Sequence, residues 1–553
     1  MFADLILTNG RVYTMDAALP LAEAVAVAGN RILAVGRASE MAPLRGPKTE
    51  VIDLHNRPLL PAFTDSHIHF LSYALSRQRL DLSATRSAEE AAAIVAHQAA
   101  RYPSDRWLRG HGWDRNIWAD KTMPTKALLD AVAPEHAVAL ESKDLHCVWA
   151  NSKALAQAGI TAATPDPPGG VIVRDPHTGE PTGILLEAAC KLVSRVYPQP
   201  TLAECTDAVK EATPLAWAAG ITGIHQMGDA PDARAFRTFQ LLHQQGELGL
   251  RVAYYIPQEN LEAAIAVGLR SGFGDERLRI GGVKLFVDGS LGSRTAWMLE
   301  PFEDEPHNHG VSRLEPARLL ELVRRATAAG LSVAVHAIGD RANREAIEAI
   351  AATRRMVPST FPPADSASWA DAQLRHRIEH AQLLHPDDIP RLARERIVAS
   401  MQPIHCTSDM EMAELHWGEP RCAGAYAWRS LLDAGVPLAF GSDAPVESPD
   451  VLAGIHAAVT RRRADGFPGL EGWHPEQRLS VAEAIHAYTL GAAYAAGEER
   501  WRGSITPGKL ADLVVLSEDI FACEAMDILA ARVDMTIFDG RVAYTAHGEN
   551  RRI

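Results

Sequence analysis

The central part of the chain repeats one pattern, in which a short apolar run is followed by a segment with apolar residues at three- to four-residue spacing. The runs are typical of buried strands and the segments of amphipathic helices, so the alternation predicts a parallel sheet with helical crossovers. The predicted strands number eight, which is the number that closes a (β/α)₈ TIM barrel. They cover residues 59–65, 220–226, 250–256, 279–286, 331–336, 375–380, 397–402 and 437–442.

The interval between the first two of these strands is too long for one helical crossover. It contains a strand candidate of its own at residues 137–140, a helix start at residues 151–153 and a Gly-Gly hairpin around residues 169–173. We therefore predict an inserted subdomain over about residues 85–205, which follows barrel strand 1 and lies over the barrel mouth. Three crossover segments, 202–219, 314–329 and 341–353, predict helices.

Both ends of the chain have the character of small β-sheets. Residues 4–56 hold short strand candidates separated by Asn-Gly and Gly-Asn turns, and residues 508–544 hold another set. Neither end has enough apolar surface to fold comfortably alone. We predict that residues 1–57 and 499–553 combine into one small β-sandwich domain, and that residues 58–498 form the barrel with its insertion.

Composition excludes several classes of partner. The net charge of −14 is spread along the chain without a basic face, which argues against binding to nucleic acid. No apolar run reaches the roughly 18 residues of a membrane helix, and no basic stretch precedes a signal-like segment at the N-terminus. Six widely spaced cysteines form neither a disulfide framework nor a thiolate zinc site. We expect a cytoplasmic protein with a small-molecule substrate.

Polar side chains stand where the predicted strands end. In a barrel, the C-terminal ends of the strands carry the active residues. An unpaired polar group at these positions would be costly, and a metal cluster would satisfy all of them at once. His67 and His69 are two residues apart, so on an extended backbone both imidazoles point to the same side. The full set is His67 and His69 at strand one, Lys284 at strand four, His336 at strand five, His380 at strand six and Asp443 at strand eight.

This set resembles the ligand set of the amidohydrolase superfamily. Five phrases narrow the resemblance to the YtcJ-like amidohydrolase family 3, a group that includes N-substituted formamide deformylases. They are Val-Lys-Leu-Phe-Val-Asp-Gly-Ser-Leu-Gly-Ser-Arg at 283–294, His-Ala-Ile-Gly-Asp-Arg-Ala-Asn at 336–343, Arg-Ile-Glu-His-Ala-Gln at 377–382, Met-Gln-Pro-Ile-His at 401–405 and Gly-Ser-Asp-Ala-Pro-Val at 441–446. The resemblance extends over nearly the whole chain.

The resemblance implies a site for one or two divalent ions, with Zn²⁺ expected. In this arrangement His67, His69 and Asp443 hold one ion, and His336 and His380 hold the other. Lys284 would carry a CO₂-derived carbamate, an anionic oxygen donor that bridges both ions. If Lys284 is unmodified, a mononuclear site is favoured. The resemblance also implies a homodimer.

The implied activity is hydrolysis of an amide or a related non-peptide C–N bond. Metal binding lowers the pKa of water to about 7, and Asp443 accepts the proton of that water and later delivers it to the leaving group. Ester or lactone hydrolysis and isomerisation remain alternatives on the same scaffold. A metal-free binding or scaffold protein is a third alternative, which the complete ligand set disfavours.

The substrate contacts have weaker signals. Segments around Trp113 and His146 in the insertion resemble pocket-lining segments of the family, although Trp113 is equally consistent with packing. Arg294 either meets a substrate carboxylate or pairs with Asp288. Gln402 and His405 follow strand seven at the same end of the barrel. The sequence does not identify the substrate.

Overall fold

The computed structural model describes residues 1–77, 79–104, 107–228, 232–356 and 374–546. The strands are β1 (Ala3–Thr8), β2 (Arg11–Tyr13), β3 (Leu21–Ala22), β4 (Ala24–Ala28), β5 (Arg31–Gly36), β6 (Arg45–Asp53), β7 (Pro58–Pro61), β8 (Phe63–Ile68), β9 (Leu80–Asp81), β10 (Leu108–Trp113), β11 (Val138–Ser142), β12 (Cys147–Ala150), β13 (Gly170–Arg174), β14 (Pro181–Glu187), β15 (Ile221–Met227), β16 (Arg251–Pro257), β17 (Leu278–Phe286), β18 (Val333–Ala337), β19 (Arg377–His380), β20 (Val398–Met401), β21 (Leu438–Phe440), β22 (Leu513–Leu516), β23 (Val533–Phe538) and β24 (Arg541–Thr545).

The helices are α1 (Ala38–Met41), α2 (Phe70–Ser76), α3 (Ala88–Ala99), α4 (Lys126–Val132), α5 (Ser152–Gln157), α6 (Cys190–Ser194), α7 (Leu202–Ala218), α8 (Arg234–Gln244), α9 (Leu261–Ala266), α10 (Pro316–Ala328), α11 (Asp340–Met356), α12 (Ile389–Arg394), α13 (Pro403–Trp417), α14 (Glu419–Cys422), α15 (Trp428–Asp433), α16 (Val451–Thr460), α17 (Val481–Tyr488) and α18 (Leu490–Ala496). Helices α7, α10 and α11 match the three helices predicted from apolar spacing. Among the described residues, no helix is both long enough and apolar enough to cross a membrane.

Eight strands form the central sheet in the order β21-β20-β19-β18-β17-β16-β15-β8, with parallel neighbours. The first and last strands of this sheet are joined by backbone hydrogen bonds at their C-terminal ends. The Asp443 N–H donates to the His67 carbonyl at 2.7 Å, and the His69 N–H donates to the Ala444 carbonyl at 2.9 Å. Each predicted strand overlaps one of the eight. The predicted (β/α)₈ barrel is confirmed.

The predicted first strand over residues 59–65 is wrong in its bounds, because two strands of different sheets share this apolar run. Strand β7 pairs with β2 and β22 outside the barrel, whereas β8 pairs with β15 inside it. The chain changes sheets between Ala62, whose N–H donates to the Asp512 carbonyl, and Phe63, whose N–H donates to the Gly220 carbonyl. Both strands are buried, so the hydrophobic pattern does not mark the change.

Strands from both ends of the chain share one six-stranded sheet, in the order β24-β23-β22-β7-β2-β3. A separate four-stranded sheet, in the order β5-β4-β1-β6, consists of strands from the N-terminal end alone. Leu5, Val27, Leu59, Leu513 and Ile537 belong to one buried cluster that draws on both ends. The domain bounds 1–57 and 499–553 stay a prediction, and residues 547–553 lie outside the described part of the chain.

The segment between β8 and β15 folds around a sheet of its own, in the order β13-β14-β12-β11-β10-β9. Trp113, Trp118 and Trp149 pack against one another in its core, with ring centroids 5.7–6.5 Å apart. Hydrogen bonds tie this insertion to the loop after β17, among them one from the Ser290 hydroxyl to Asp144 and one from the Thr295 hydroxyl to Glu187. The insertion therefore reaches the end of the barrel at which the ligand candidates collect.

Candidate metal centre

The first two strand-end histidines meet the carboxylate of the last strand. His67 lies near the C-terminal end of β8 and has no exposed surface, and His69 is the first residue after this strand. The Asp443 Oδ1 atom lies 3.4 Å from Nε2 of His67 and 3.4 Å from Nε2 of His69. These three buried residues each offer one ligand atom, and the three atoms lie within 4.8 Å of one another.

A second group of ligand atoms shares the same carboxylate. It consists of His380, His405 and Asp443, again within 4.8 Å. The rings of His380 and His405 stack with centroids 6.2 Å apart. The sequence analysis assigns His336 to this second position and His405 to the substrate, so the structure brings a different histidine into the group.

Lys284 and His336 complete the cluster. The Lys284 Nζ atom lies 3.3 Å from His67 Nε2, and the side chain is buried at the end of β17. The His336 ring lies 4.5 Å from the His380 ring, and its Nε2–H donates to the Gly289 carbonyl at 2.9 Å. All six predicted ligands therefore lie around one point at the barrel mouth.

The electrostatics keep the imidazoles of His67, His336 and His380 neutral and the Asp443 carboxylate ionised. Burial and the neighbouring Lys284 lower the pKa of His67 to about 4. Burial also holds the pKa values of His336 and His380 well below the usual histidine value. Burial alone would raise the pKa of Asp443, but the neighbouring histidines bring it well below its usual value. Neutral imidazole and ionised carboxylate are the protonation states that bind metal.

A buried ion pair beneath the centre orients His67. The His67 Nδ1–H donates to Glu379 at 2.5 Å, and Glu379 in turn accepts from Arg377 at 2.5 Å. Burial alone would raise the pKa of Glu379, but Arg377 and His67 lower it strongly. Such a carboxylate fixes the tautomer of His67, so that Nε2 carries no proton and can act as a metal ligand.

The sequence analysis missed this pair, although the strand carries a signal for it. Arg377 and Glu379 are two residues apart on β19, where their side chains share a face. Arg377 also donates to the Ser66 carbonyl and to the Ser400 hydroxyl, both at 2.5 Å, which ties β19 to β8 and β20. Opposite charges at this spacing in a strand of the central barrel sheet predict a buried ion pair.

Two ligand residues adopt strained backbone conformations. His380 has φ = +73° and Asp443 has φ = +60°, in the left-handed region that favours glycine. Each such residue costs about 1–3 kcal/mol and persists where the surrounding structure fixes it. Asp443 is fixed by its backbone hydrogen bond to His67 across the closure of the barrel.

Two buried polar atoms at the centre have no hydrogen-bond partner among the described residues, namely Asp443 Oδ1 and His405 Nε2. Leaving such atoms unsatisfied costs about 1–3 kcal/mol each. A divalent ion bound between imidazole nitrogens and a carboxylate oxygen would satisfy them, and this donor set suits zinc. The residues of the site therefore fit a divalent metal.

Comparison with known proteins identifies the family. The sequence profile of the amidohydrolase family matches residues 50–544. The chain belongs to the amidohydrolase family. The predicted resemblance is confirmed.

Three relatives of this amidohydrolase match over nearly its whole length. The chain is 33% identical to protein LONG AFTER FAR-RED 3 of Arabidopsis thaliana, over 98% of this chain and 92% of the relative. It is 33% identical to the putative amidohydrolase YtcJ of Bacillus subtilis, over 97% of this chain and 98% of the relative. It is 29% identical to N-substituted formamide deformylase of Arthrobacter pascens, over 99% of each chain.

A solved structure agrees with the fold. A metal-dependent hydrolase of Pyrococcus horikoshii superposes with a TM-score of 0.75 at 27% identity, covering 94% of this chain and 99% of that one. The family and this neighbour support a hydrolase, and the candidate histidine and aspartate groups support a divalent metal. The chain is thus a hydrolase on a barrel that fits a metal.

Two cavities of the amidohydrolase converge on the centre. The larger has a volume of about 730 Å³ and the smaller about 430 Å³, and Asp443, His336 and His380 line both. His146 of the insertion also lines both, with its ring 5.9 Å from that of His336. The His146 Nδ1–H donates to Glu187 at 2.9 Å. Although burial lowers the pKa of His146, Glu187 raises it above the usual value.

The other predicted substrate contacts have different surroundings. Arg294 lines the larger cavity and pairs with Asp304 and Glu305, rather than with Asp288. The Gln402 side-chain oxygen accepts from His380 Nδ1–H at 2.9 Å, so this residue orients a ligand candidate. Trp113 is almost fully buried, and its indole N–H donates to the Leu140 carbonyl. Trp113 also lines the larger cavity, so a contact with substrate stays a prediction beside its role in packing.

Proposed function

We propose that this amidohydrolase hydrolyses a non-peptide C–N bond of a small molecule with the help of bound zinc. One observation carries the proposal: two groups of histidines share the buried Asp443 carboxylate at the mouth of the barrel. The relative named N-substituted formamide deformylase supports an amide-type substrate.

His67, His69 and Asp443 would hold one ion, and His380 with His336 or His405 would hold the second. Lys284, buried 3.3 Å from His67, would bridge the two after its Nζ adds to CO₂ and loses a proton. The resulting carbamate replaces an ammonium that metal ions would repel with an anionic oxygen donor. When bound, the metal supplies Lewis acidity and lowers the pKa of water to about 7.

The remaining steps belong to the side chains of the chain itself. Asp443 accepts the proton of the attacking water and returns it to the departing nitrogen. Its low pKa keeps it ionised and ready for the first transfer. His146, held in orientation by Glu187, lies at the junction of the two cavities, where it can hydrogen-bond to the scissile group.

The experiment is an assay of the zinc-loaded protein with matched N-acetyl amines, N-formyl amines, acetate esters and lactones. We expect hydrolysis of amides, loss of activity after chelation and recovery on adding zinc. Faster turnover of esters or lactones than of any amide would favour the alternative reaction class. Fewer than one equivalent of bound metal, with no hydrolysis, would favour a metal-free binding protein.

Lys284 has its own test. Growth or incubation with ¹³C-bicarbonate should give a carbamate carbon signal by NMR in the native protein, and that signal should be absent in Lys284→Ala. Metal analysis should find two equivalents in the native protein and fewer in the variant. Two equivalents in both proteins, without a carbamate signal, would remove Lys284 from the site.

A further inference from the structure

Arg109 carries a positive charge that no carboxylate among the described residues neutralises within 4.0 Å. It lies on β10, in the sheet of the insertion, and its side chain is half-buried. The guanidinium group lies over the ring of Tyr197, 3.9 Å from the ring centroid. Tyr197 in turn packs edge-on against Trp107, with centroids 5.6 Å apart. The guanidinium plane is therefore held in a fixed orientation.

The charges around Arg109 compensate it only in part, because Glu141 attracts both Arg109 and Arg79. The neighbouring Arg79 takes the nearby carboxylate of Glu141 in an ion pair of 2.8 Å. Burial, followed by the positive charge of Arg79, lowers the pKa of Arg109. A guanidinium remains protonated in proteins all the same. Arg79, Arg109 and Glu141 together thus have a net charge of one positive unit.

The position of Arg109 connects this charge to the metal centre. Arg109 lines the cavity of about 430 Å³ together with His69, Lys284 and Asp443. A cavity of this volume holds a medium-sized organic molecule. One substrate molecule can therefore contact Arg109 at one end and present its scissile bond to the centre at the other.

We propose that Arg109 selects substrates that carry a carboxylate, so that this hydrolase acts on anionic amides in preference to neutral ones. The inference rests on the proposed C–N hydrolysis and narrows its substrate class. A fixed guanidinium presents two parallel N–H donors that match the two oxygens of a carboxylate. The anion would supply the charge that the insertion lacks at Arg109.

The test compares N-acetylphenylalanine, as both enantiomers, with N-acetylphenethylamine, which lacks only the carboxylate. N-Succinylphenethylamine places a carboxylate on the acyl side instead. The zinc-loaded native protein should have a higher kcat/KM for an anionic substrate. Arg109→Met, which keeps the apolar stem over Tyr197, should lower that value by about 10- to 100-fold, the usual effect of losing a hydrogen bond to a charged group. The value for the neutral substrate should change little.

Two further variants sharpen the result. Arg109→Lys keeps the charge without the planar fork, and should restore only part of the preference, mainly through KM. Arg174→Gln is the matched control, because Arg174 belongs to the same insertion but pairs with Asp166. This control should leave the kcat/KM values for the anionic and the neutral substrate unchanged. Thermal unfolding of each variant checks that the insertion stays folded.

A binding measurement separates this inference from the proposed reaction. 3-Phenylpropionate has no bond to cleave, and 3-phenylpropanol is its neutral counterpart. Calorimetry should find that the native protein binds the carboxylate more tightly and that Arg109→Met loses the difference. If no amide is hydrolysed, the proposed function fails while this binding result still decides the role of Arg109. Equal affinities of the native and Arg109→Met proteins for the carboxylate, or an unchanged kcat/KM ratio, would overturn the inference.

Discussion

The barrel strand ends and the insertion both contribute to the site, but they hold their polar residues in different ways. At the strand ends, His67, Glu379 and Arg377 are fully buried and joined in one hydrogen-bonded chain. In the insertion, the Arg79–Glu141 pair is partly exposed, with side-chain exposures of 15% and 26%, and Arg109 has no anionic partner among the described residues. In the barrel, each of these buried polar residues is paired with another one. In the insertion, Arg109 keeps a positive charge that we propose is paired with a ligand.

The two regions should differ in how well they tolerate substitution. A residue inside a closed network cannot change without leaving another buried group unpaired. A residue in a separate module with its own aromatic core can change without disturbing the ligands. Substitutions in the two regions should therefore have unequal effects.

The largest expected effect is on Asp443, which both ligand groups share. Asp443→Asn removes the proposed proton acceptor and one negative charge from the predicted metal ligands, and we expect kcat to fall by about 10⁴-fold. Circular dichroism should find a folded protein. Asp465→Asn, at an exposed position on the rim of the larger cavity, is the matched control and should retain activity. Near-normal turnover of Asp443→Asn would end the assignment of the catalytic centre.

The buried ion pair should come next. Glu379→Gln leaves Arg377 without its carboxylate and loosens the orientation of His67, so we expect zinc affinity to fall by about 10- to 100-fold. The free energy of unfolding should fall by about 3 kcal/mol. Competition titration and urea unfolding measure these effects. Glu141→Gln breaks the partly exposed pair of the insertion and should cost about 1 kcal/mol or less, with unchanged zinc affinity. Equal losses in the two variants would contradict the comparison.

A smaller effect concerns the pH dependence of barrel stability. Burial lowers the pKa of His376 to about 3, and its Nδ1 accepts from the Val333 N–H. In the unfolded chain, His376 binds a proton below about pH 6.5, whereas in the folded chain it binds this proton only below about pH 3. The stability from neutral His376 is therefore present above pH 6.5 and lost as pH falls towards 3, by about 2 kcal/mol at pH 5.

The measurement compares urea unfolding of the native protein and His376→Gln between pH 7 and pH 5. The native protein should lose more stability than the variant over this range, and the difference isolates His376 from the other titrating groups. Parallel pH profiles would mean that His376 is not held neutral.

The smallest expected effect is on the aromatic core of the insertion. Trp113→Phe removes the indole N–H that donates to Leu140 and part of the packing against Trp118 and Trp149. We expect a loss of about 1–2 kcal/mol in the free energy of unfolding, with KM unchanged. A change in KM with unchanged stability would assign Trp113 to the substrate site instead.

Much of the barrel was predictable from the chain because the information is local. The alternation of apolar runs and amphipathic segments records each strand and helix within about 20 residues. The six ligand candidates could be recognised because each interrupts or closes such a run and because their phrases resemble one family. The split of residues 58–68 between two sheets was not predictable, since both strands are buried and read alike.

By itself, the sequence determined the eight strands, the residues that stand at their ends and the family to which they belong. Tertiary structure decided which of those residues meet. The bond between His67 and Glu379 joins residues 312 positions apart, and Asp443 meets His67 only because the barrel closes. Arg109 looks like any charged residue in the sequence. That no carboxylate among the described residues pairs with it depends on the pairing of Glu141 with Arg79, and its orientation depends on Tyr197; both are set by packing between distant segments rather than by local pattern.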